Sequence, residues 1–305
     1  MNSLTKVMVS PHIHSGKSTS GIMRDVLIAL IPATVAGAII FGLRALLIIA
    51  VCITSCIIFE AIFNIITKKP QTIKDMSASV TGLLLALNLP VSTPVWQCIV
   101  GCLFAIVVVK CIFGGIGNNL VNPAITARVF MLVAFSSLAV AGVPTDAVSS
   151  ASPLVAEQTP SLMTLFLGNY AGCIGETCTA TLLAGAIYLI ARKVITWHIP
   201  TLFIGTVFVF SLFMEGFDPV IALSLTMAGG VFIGAIFMAT DYVTSPYTAL
   251  GKVIFAIGAG LITCLIRYFG TYPEGVSFAI LLMNILNPYI NRLTRHRVFA
   301  AERSK

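Results

Sequence analysis

Long apolar runs separated by short polar stretches dominate this chain. A polar amino-terminal segment containing "SPHIHSGKSTSGIMR" comes first. Ten apolar segments follow, near residues 25–42, 45–66, 77–91, 95–113, 124–142, 178–195, 199–214, 219–238, 252–269 and 275–291. Most are close to the roughly 20 residues a helix needs to cross a hydrocarbon core. The pattern predicts an all-α membrane protein of ten transmembrane helices.

Composition strengthens that reading. Of 305 residues, 58% are hydrophobic and 10% charged, and the mean hydropathy is +1.01. A soluble domain carries roughly 25% charged residues, so too little charge is present to cover a surface facing water. The net charge of +7 does not indicate nucleic acid, because the cations collect between apolar runs and at the termini. Cytoplasmic loops are rich in Lys and Arg. On a ten-span count "TKKPQTIKD" (67–75), Arg192/Lys193, Lys252 and the tail "NRLTRHRVFAAERSK" share one side with the amino terminus. The other side receives "VSTPVW", the 143–160 segment, "MEGFD" and "GTYPEG". Both termini are therefore expected in the cytoplasm, with the chain in the inner (cytoplasmic) membrane. Arg44 and Arg267 are exceptions at helix ends, where long side chains can snorkel. The first twenty residues lack the apolar region of a cleavable signal.

Eight cysteines are present and none forms C-x-x-C. Cys52/Cys56 and Cys98/Cys102 lie one helical turn apart, compatible with ligation or with use as small apolar residues. Cys173 sits beside glycines where helices are expected to break.

Two internal echoes suggest duplication. "GNNLVNPAIT" (117–126) aligns with "TDYVTSPYTA" (240–249), pairing Asn118 with Asp241 and Asn122 with Ser245. "SASVTGLLLA" (77–86) aligns with "TCTATLLAGA" (177–186). With an odd number of spans in each half, duplicated halves would be inverted, an arrangement that places sites between broken helices. The expected organisation is a segment 1–24, a first repeat 25–142, an outer-side connector 143–177, a second repeat 178–291 and a cytoplasmic tail 292–305. Asn118, Asn119 and Asn122 occupy one break; Asp241, Thr244 and Ser245 occupy the other. Breaks at membrane depth must be buried or line a cavity. Asp241 and Asn118 read either as helix caps or as members of a shared cavity. Glu176 in "GETCTAT" and Glu274 in "YPEGVSF" begin outward-facing helices, as dipole-stabilising residues or as site residues.

The 143–160 segment contains "DAVSSASPL". Its spacing D-x-x-S-x-A-S, formed by Asp146, Ser149, Ala151 and Ser152, resembles the flavinylation motif of membrane subunits in Rnf and Na⁺-pumping quinone oxidoreductase complexes. That family usually carries threonine where this chain has Ser152. The resemblance extends through "GLLLALNLP", "GNNLVNPA", "GETCTATLLAGA", "ATDYVTSP" and "YPEGVSFAILLMNILNP", in the family's order across nearly the whole chain.

The resemblance implies a membrane subunit of an ion-translocating ferredoxin:NAD⁺ oxidoreductase with a fold like that of urea transporters. It implies FMN joined to Ser152 as a phosphoester by an FMN transferase, on the outer side. A second, non-covalent flavin (riboflavin or FMN) is implied within the membrane domain. Partners would be the A-, B-, C-, E- and G-type subunits of the same complex. No Rossmann fingerprint or cysteine cluster is present, so NAD⁺ and ferredoxin are expected to bind elsewhere in it. The polar breaks offer a cavity for the second flavin or an ion path, lined by Asn118, Asn122, Asp241, Thr244 and Glu176. The rival reading is a solute channel of the same fold without a redox role, resting on the inverted repeat and the polar breaks.

Overall fold

A computed structural model describes residues 18–135, 161–168, 170–270 and 275–295. Its regular elements are all helical: α1 (Thr19–Phe41), α2 (Leu43–Ile66), α3 (Ser77–Leu87), α4 (Val95–Leu103), α5 (Pro123–Ala134), α6 (Leu162–Leu167), α7 (Thr179–Ala191), α8 (His198–Met214), α9 (Pro219–Met227), α10 (Val231–Ile233), α11 (Ala249–Phe269) and α12 (Val276–Thr294). α4 continues as a π-helix over Phe104–Cys111, and α10 continues as a π-helix over Gly234–Met238. Each of the ten apolar segments thus holds helix, and Asp146, Ser149, Ala151, Ser152 and Glu274 lie outside the described residues.

The surface is what lipid selects. Ile39 is 76% exposed, Ile187 68% and Leu293 84%, while Glu60, Lys110, Arg128 and Asn284 are buried. Among the described residues α1, α2 and α11 are long and apolar enough to cross a membrane, and α9 with the α10 unit forms a fourth candidate bent by 65°. Several remaining apolar helices are shorter. α3, with eleven residues, is about 16 Å long, roughly half a hydrocarbon core.

A half-length helix leaves carbonyls that must be satisfied. Residues 170–179 are irregular up to Thr179 and wholly buried. The Ile174 and Gly175 N–H groups donate to the carbonyls of Leu89 (3.1 Å) and Leu87 (2.8 Å), closing the end of α3. Gly175 sits so close to Leu87 that a Cβ would lie 2.5 Å from the leucine Cβ. Irregular backbone is tolerated at depth only when protein encloses it, and that condition is met here. The bend between α9 and α10 is held differently. Arg267 donates to the carbonyls of Leu225 (2.8 Å) and Ala228 (3.0 Å). It turns inward to satisfy a broken helix, contrary to the snorkelling expected from its position, because free carbonyls at the break bind a guanidinium better than lipid does.

The echoes do not describe one duplicated unit in register. A single apolar stretch, Val95–Cys111, separates the two echo sites in the first half, whereas α8 and the α9–α10 pair separate them in the second. Their shared hydroxyls have a local cause. Thr81 Oγ1 donates to Ser77 O (3.0 Å) and Thr181 Oγ1 to Cys178 O (2.8 Å). Back-bonding of this kind hides a hydroxyl inside an apolar helix wherever one occurs.

Candidate functional site

The two polar breaks meet. The first, residues 112–122, leaves the π-helix Phe104–Cys111 and ends at α5, which Asn122 caps by accepting from Ala124 N (3.0 Å) and Ile125 N (3.3 Å). The second, residues 239–248, leaves the π-helix Gly234–Met238 and ends at α11, which Thr248 caps by accepting from Gly251 N (3.0 Å). The counterpart of the Asn122 cap is therefore Thr248, not the Ser245 that the alignment paired with it. Short π-helical segments frequently mark functional positions, and here one precedes each break.

Asn122 also donates to Met238 O (3.4 Å) at the end of the second π-helix. Asn284 of α12, 1% exposed, completes the junction. With its amide oriented so that each end meets a complementary partner, the nitrogen donates to Thr244 O (3.2 Å) and the oxygen accepts from Asn122 N (3.2 Å), so one side chain bridges both breaks.

Between the breaks lies a cavity of about 360 Å³, within the size range of small-molecule sites. Ile22, Met23 and Val26 of α1, Val80 and Leu84 of α3, Leu189 of α7 and Phe237 of the second π-helix form its apolar walls. Ser77, Thr81, Lys110, Asn119, Asn122 and Asp241 supply polar groups. Mostly apolar walls with a few convergent polar groups are the usual construction of a ligand site.

Behind one wall runs a buried polar chain. Lys110 Nζ donates to Glu60 Oε2 at 2.8 Å and to Ser77 Oγ at 2.6 Å, and both ionic side chains are 3% exposed. Thr72 Oγ1 donates to Glu60 Oε1 (2.5 Å) and accepts from Asn64 Nδ2 (3.1 Å). Ser77 Oγ donates to Asp75 Oδ1 (2.6 Å). A buried ion pair holds only when its remaining valences are also met, and the threonine and serine meet most of them.

Of the residues singled out by sequence, Asn122 and Asp241 face the cavity. Thr244 is buried and supports Asp241, donating to Oδ2 at 3.1 Å. Asn118 is exposed, and its neighbour Asn119 lines the cavity in its place. Glu176 lies apart from the cavity, in the buried 170–179 segment, where its Oε1 accepts from Cys173 N (2.8 Å). It is thus neither a cavity residue nor the first residue of a helix. The eight cysteines are free and buried, and among the described residues no group of three or more His, Cys, Asp or Glu is placed to hold a metal ion. Cys52 and Cys102 pack as small apolar residues, with Cys102 Sγ 3.5 Å from Cys52 O.

Glu60, Lys110 and Asn284 escaped the sequence reading. Glu60 and Lys110 were detectable as charges lying within apolar runs, which carry a functional presumption. Their pairing was not detectable, since fifty residues separate them.

A family model described as the NQR2, RnfD, RnfE family matches residues 6–300. The chain belongs to this family. It is 46% identical to the D-type subunit of the Na⁺-translocating ferredoxin:NAD⁺ oxidoreductase complex of Acetobacterium woodii, an alignment covering 100% of this chain and 98% of the relative. It is 40% identical to the D-type subunit of the proton-translocating ferredoxin:NAD⁺ oxidoreductase complex of Clostridium ljungdahlii, covering 96% of each. The D-type subunit of the ion-translocating oxidoreductase complex of Halorhodospira halophila is 33% identical, covering 98% of this chain and 97% of the relative.

Proposed function

We propose that this chain is the D-type membrane subunit of an ion-translocating ferredoxin:NAD⁺ oxidoreductase. It crosses the cytoplasmic membrane ten times with both termini inside, and it carries FMN as a phosphoester on Ser152 of an outer-side connector. The observation that carries this reading is similarity over the whole chain to relatives bearing that name. The spacing of Asp146, Ser149, Ala151 and Ser152 supports the attachment point. An FMN transferase would install the group, and other subunits of the complex would bind ferredoxin and NAD⁺.

The cavity between the breaks suits a second, non-covalent flavin. Its size fits a planar ring, its α1 and α3 walls offer apolar faces, and its polar groups supply hydrogen bonds. A bound flavin would supply one- and two-electron chemistry. The work of the chain's own residues is binding and exclusion of water. Ile22, Val26, Leu84 and Phe237 would pack on the ring, while Asn122 and Asp241 would fix its orientation.

Intact mass of the purified 32.4 kDa chain tests the covalent part. The expected result is an FMN adduct and a fluorescent band after denaturing electrophoresis, both lost in Ser152→Ala with assembly retained. A native chain without adduct would remove the covalent assignment, and a variant that still fluoresces would move the attachment elsewhere. A channel of the same fold, the rival function, would give a dark band.

A further inference from the structure

Two atoms on the cavity wall have hydrogen-bonding capacity that the described residues leave unused. An ammonium carries three donors. Lys110 Nζ gives one to Glu60 Oε2 and one to Ser77 Oγ, and the third has no partner among the described residues. Lys110 is nonetheless 2% exposed and borders the cavity. The second atom is Asn119 Oδ1, which is buried without a partner on the same cavity. Leaving a buried donor or acceptor unmet is destabilising, so both atoms are arranged for something that fills the space between the breaks.

We propose that Lys110 and Asn119 join Asn122 and Asp241 in orienting the occupant of this cavity. Lys110 donates its third N–H to a ring carbonyl, and Asn119 accepts from a ring N–H. The ligand class this selects is a planar, largely apolar ring with carbonyl and N–H groups along one edge. Resting on the reading of the cavity as a flavin site, the inference turns the pyrimidine edge of the isoalloxazine toward Lys110 and leaves the dimethylbenzene edge to the apolar walls. It also gives Glu60 a purpose. The carboxylate holds the ammonium at the end of an apolar π-helix and offsets its charge, so the residual positive field at the ring depends on the pair rather than on Lys110 alone.

The test uses the purified complex with two readouts: non-covalent flavin released by acid precipitation, and the midpoint potential of that flavin in a redox titration. The double variant Lys110→Met/Glu60→Gln leaves no unpaired buried charge and so is expected to assemble. It should retain flavin and lower the potential by about 59 mV for a one-electron couple, a tenfold loss in preference for the more negative redox state of the ring. Glu60→Gln alone should shift the potential upward, since the ammonium then lacks its counter-charge. Packing damage does not produce shifts of opposite sign. Flavin retained at an unchanged potential in both variants overturns the assignment. Should the double variant lose flavin, the Glu60→Gln shift decides, upward in support and absent against. A separate arm tests the site itself. Thr81→Phe places a ring in the cavity, and undiminished non-covalent flavin in that variant would show that the flavin sits elsewhere, ending the site reading along with the Lys110 assignment.

Discussion

The two breaks solve one problem with different means. Each must reverse the chain after a π-helix and present polar atoms to the same cavity. The first, residues 112–122, relies on backbone. Gly114, Gly115 and Gly117 have φ of 112°, 91° and 92°, a region where side chains are strained, and most of the segment is exposed or half-buried. The second, residues 239–248, contains no residue at positive φ and is tied down by side chains. Thr244 donates to Asp241, Thr240 to Ile236 O (2.5 Å), Tyr242 to Val194 O, and Thr248 shares a hydrogen bond with Thr294 (2.6 Å). A glycine turn can move with what it binds, whereas a segment fastened to the chain just after α7 and to α12 holds its shape. The adaptable wall thus belongs to the asparagines and the fixed wall to Asp241.

The largest expected effect comes from cutting the link between the breaks. Asn284→Leu strands the Asn122 N–H and the Thr244 carbonyl in a buried site. It should cost about 2–4 kcal/mol, seen as a clear drop in melting temperature of the purified protein in detergent. A melting temperature equal to wild type would show that the breaks do not depend on one another.

The caps give a smaller effect and a ranking. Asn122→Ala removes two accepted bonds and a donation across to the second π-helix, and should cost about 1–2 kcal/mol. Thr248→Ala removes one cap bond and a contact with Thr294, and should cost about 1 kcal/mol. The order of the two in denaturant titration is the check, and its reversal would place the structural weight on the second break.

Finest is the backbone test. A Cβ on Gly117 meets open space, so Gly117→Ala reports φ strain alone, about 1 kcal/mol. Ser245→Ala in the other break, with ordinary φ, should stay within about 0.5 kcal/mol. Equal melting temperatures for these two variants would remove the distinction between a glycine-built and a side-chain-built turn.

The positions of the breaks were legible because glycine, asparagine and proline interrupt apolar runs conspicuously. So was the family, whose motifs recur in order. The echo between 77–86 and 177–186 misled because alignment rewards shared letters. Thr81 and Thr181 share a letter and a local bond, yet they belong to elements that do not correspond. Arg267 misled similarly, since its place near a helix end says nothing about the carbonyls of α9 that it reaches.

Sequence alone determined that this chain lives in lipid, because transfer of apolar side chains from water is a property of composition and run length, independent of how the runs pack. It also located the two polar breaks at 112–122 and 239–248, though not the bend between α9 and α10. Only the tertiary structure decided which breaks share a cavity, that Lys110 meets Glu60, and that Asn284 joins the two breaks. Those facts depend on contacts between residues far apart along the chain. Such contacts form because a buried charge or amide must find a complementary partner wherever the fold brings one within reach.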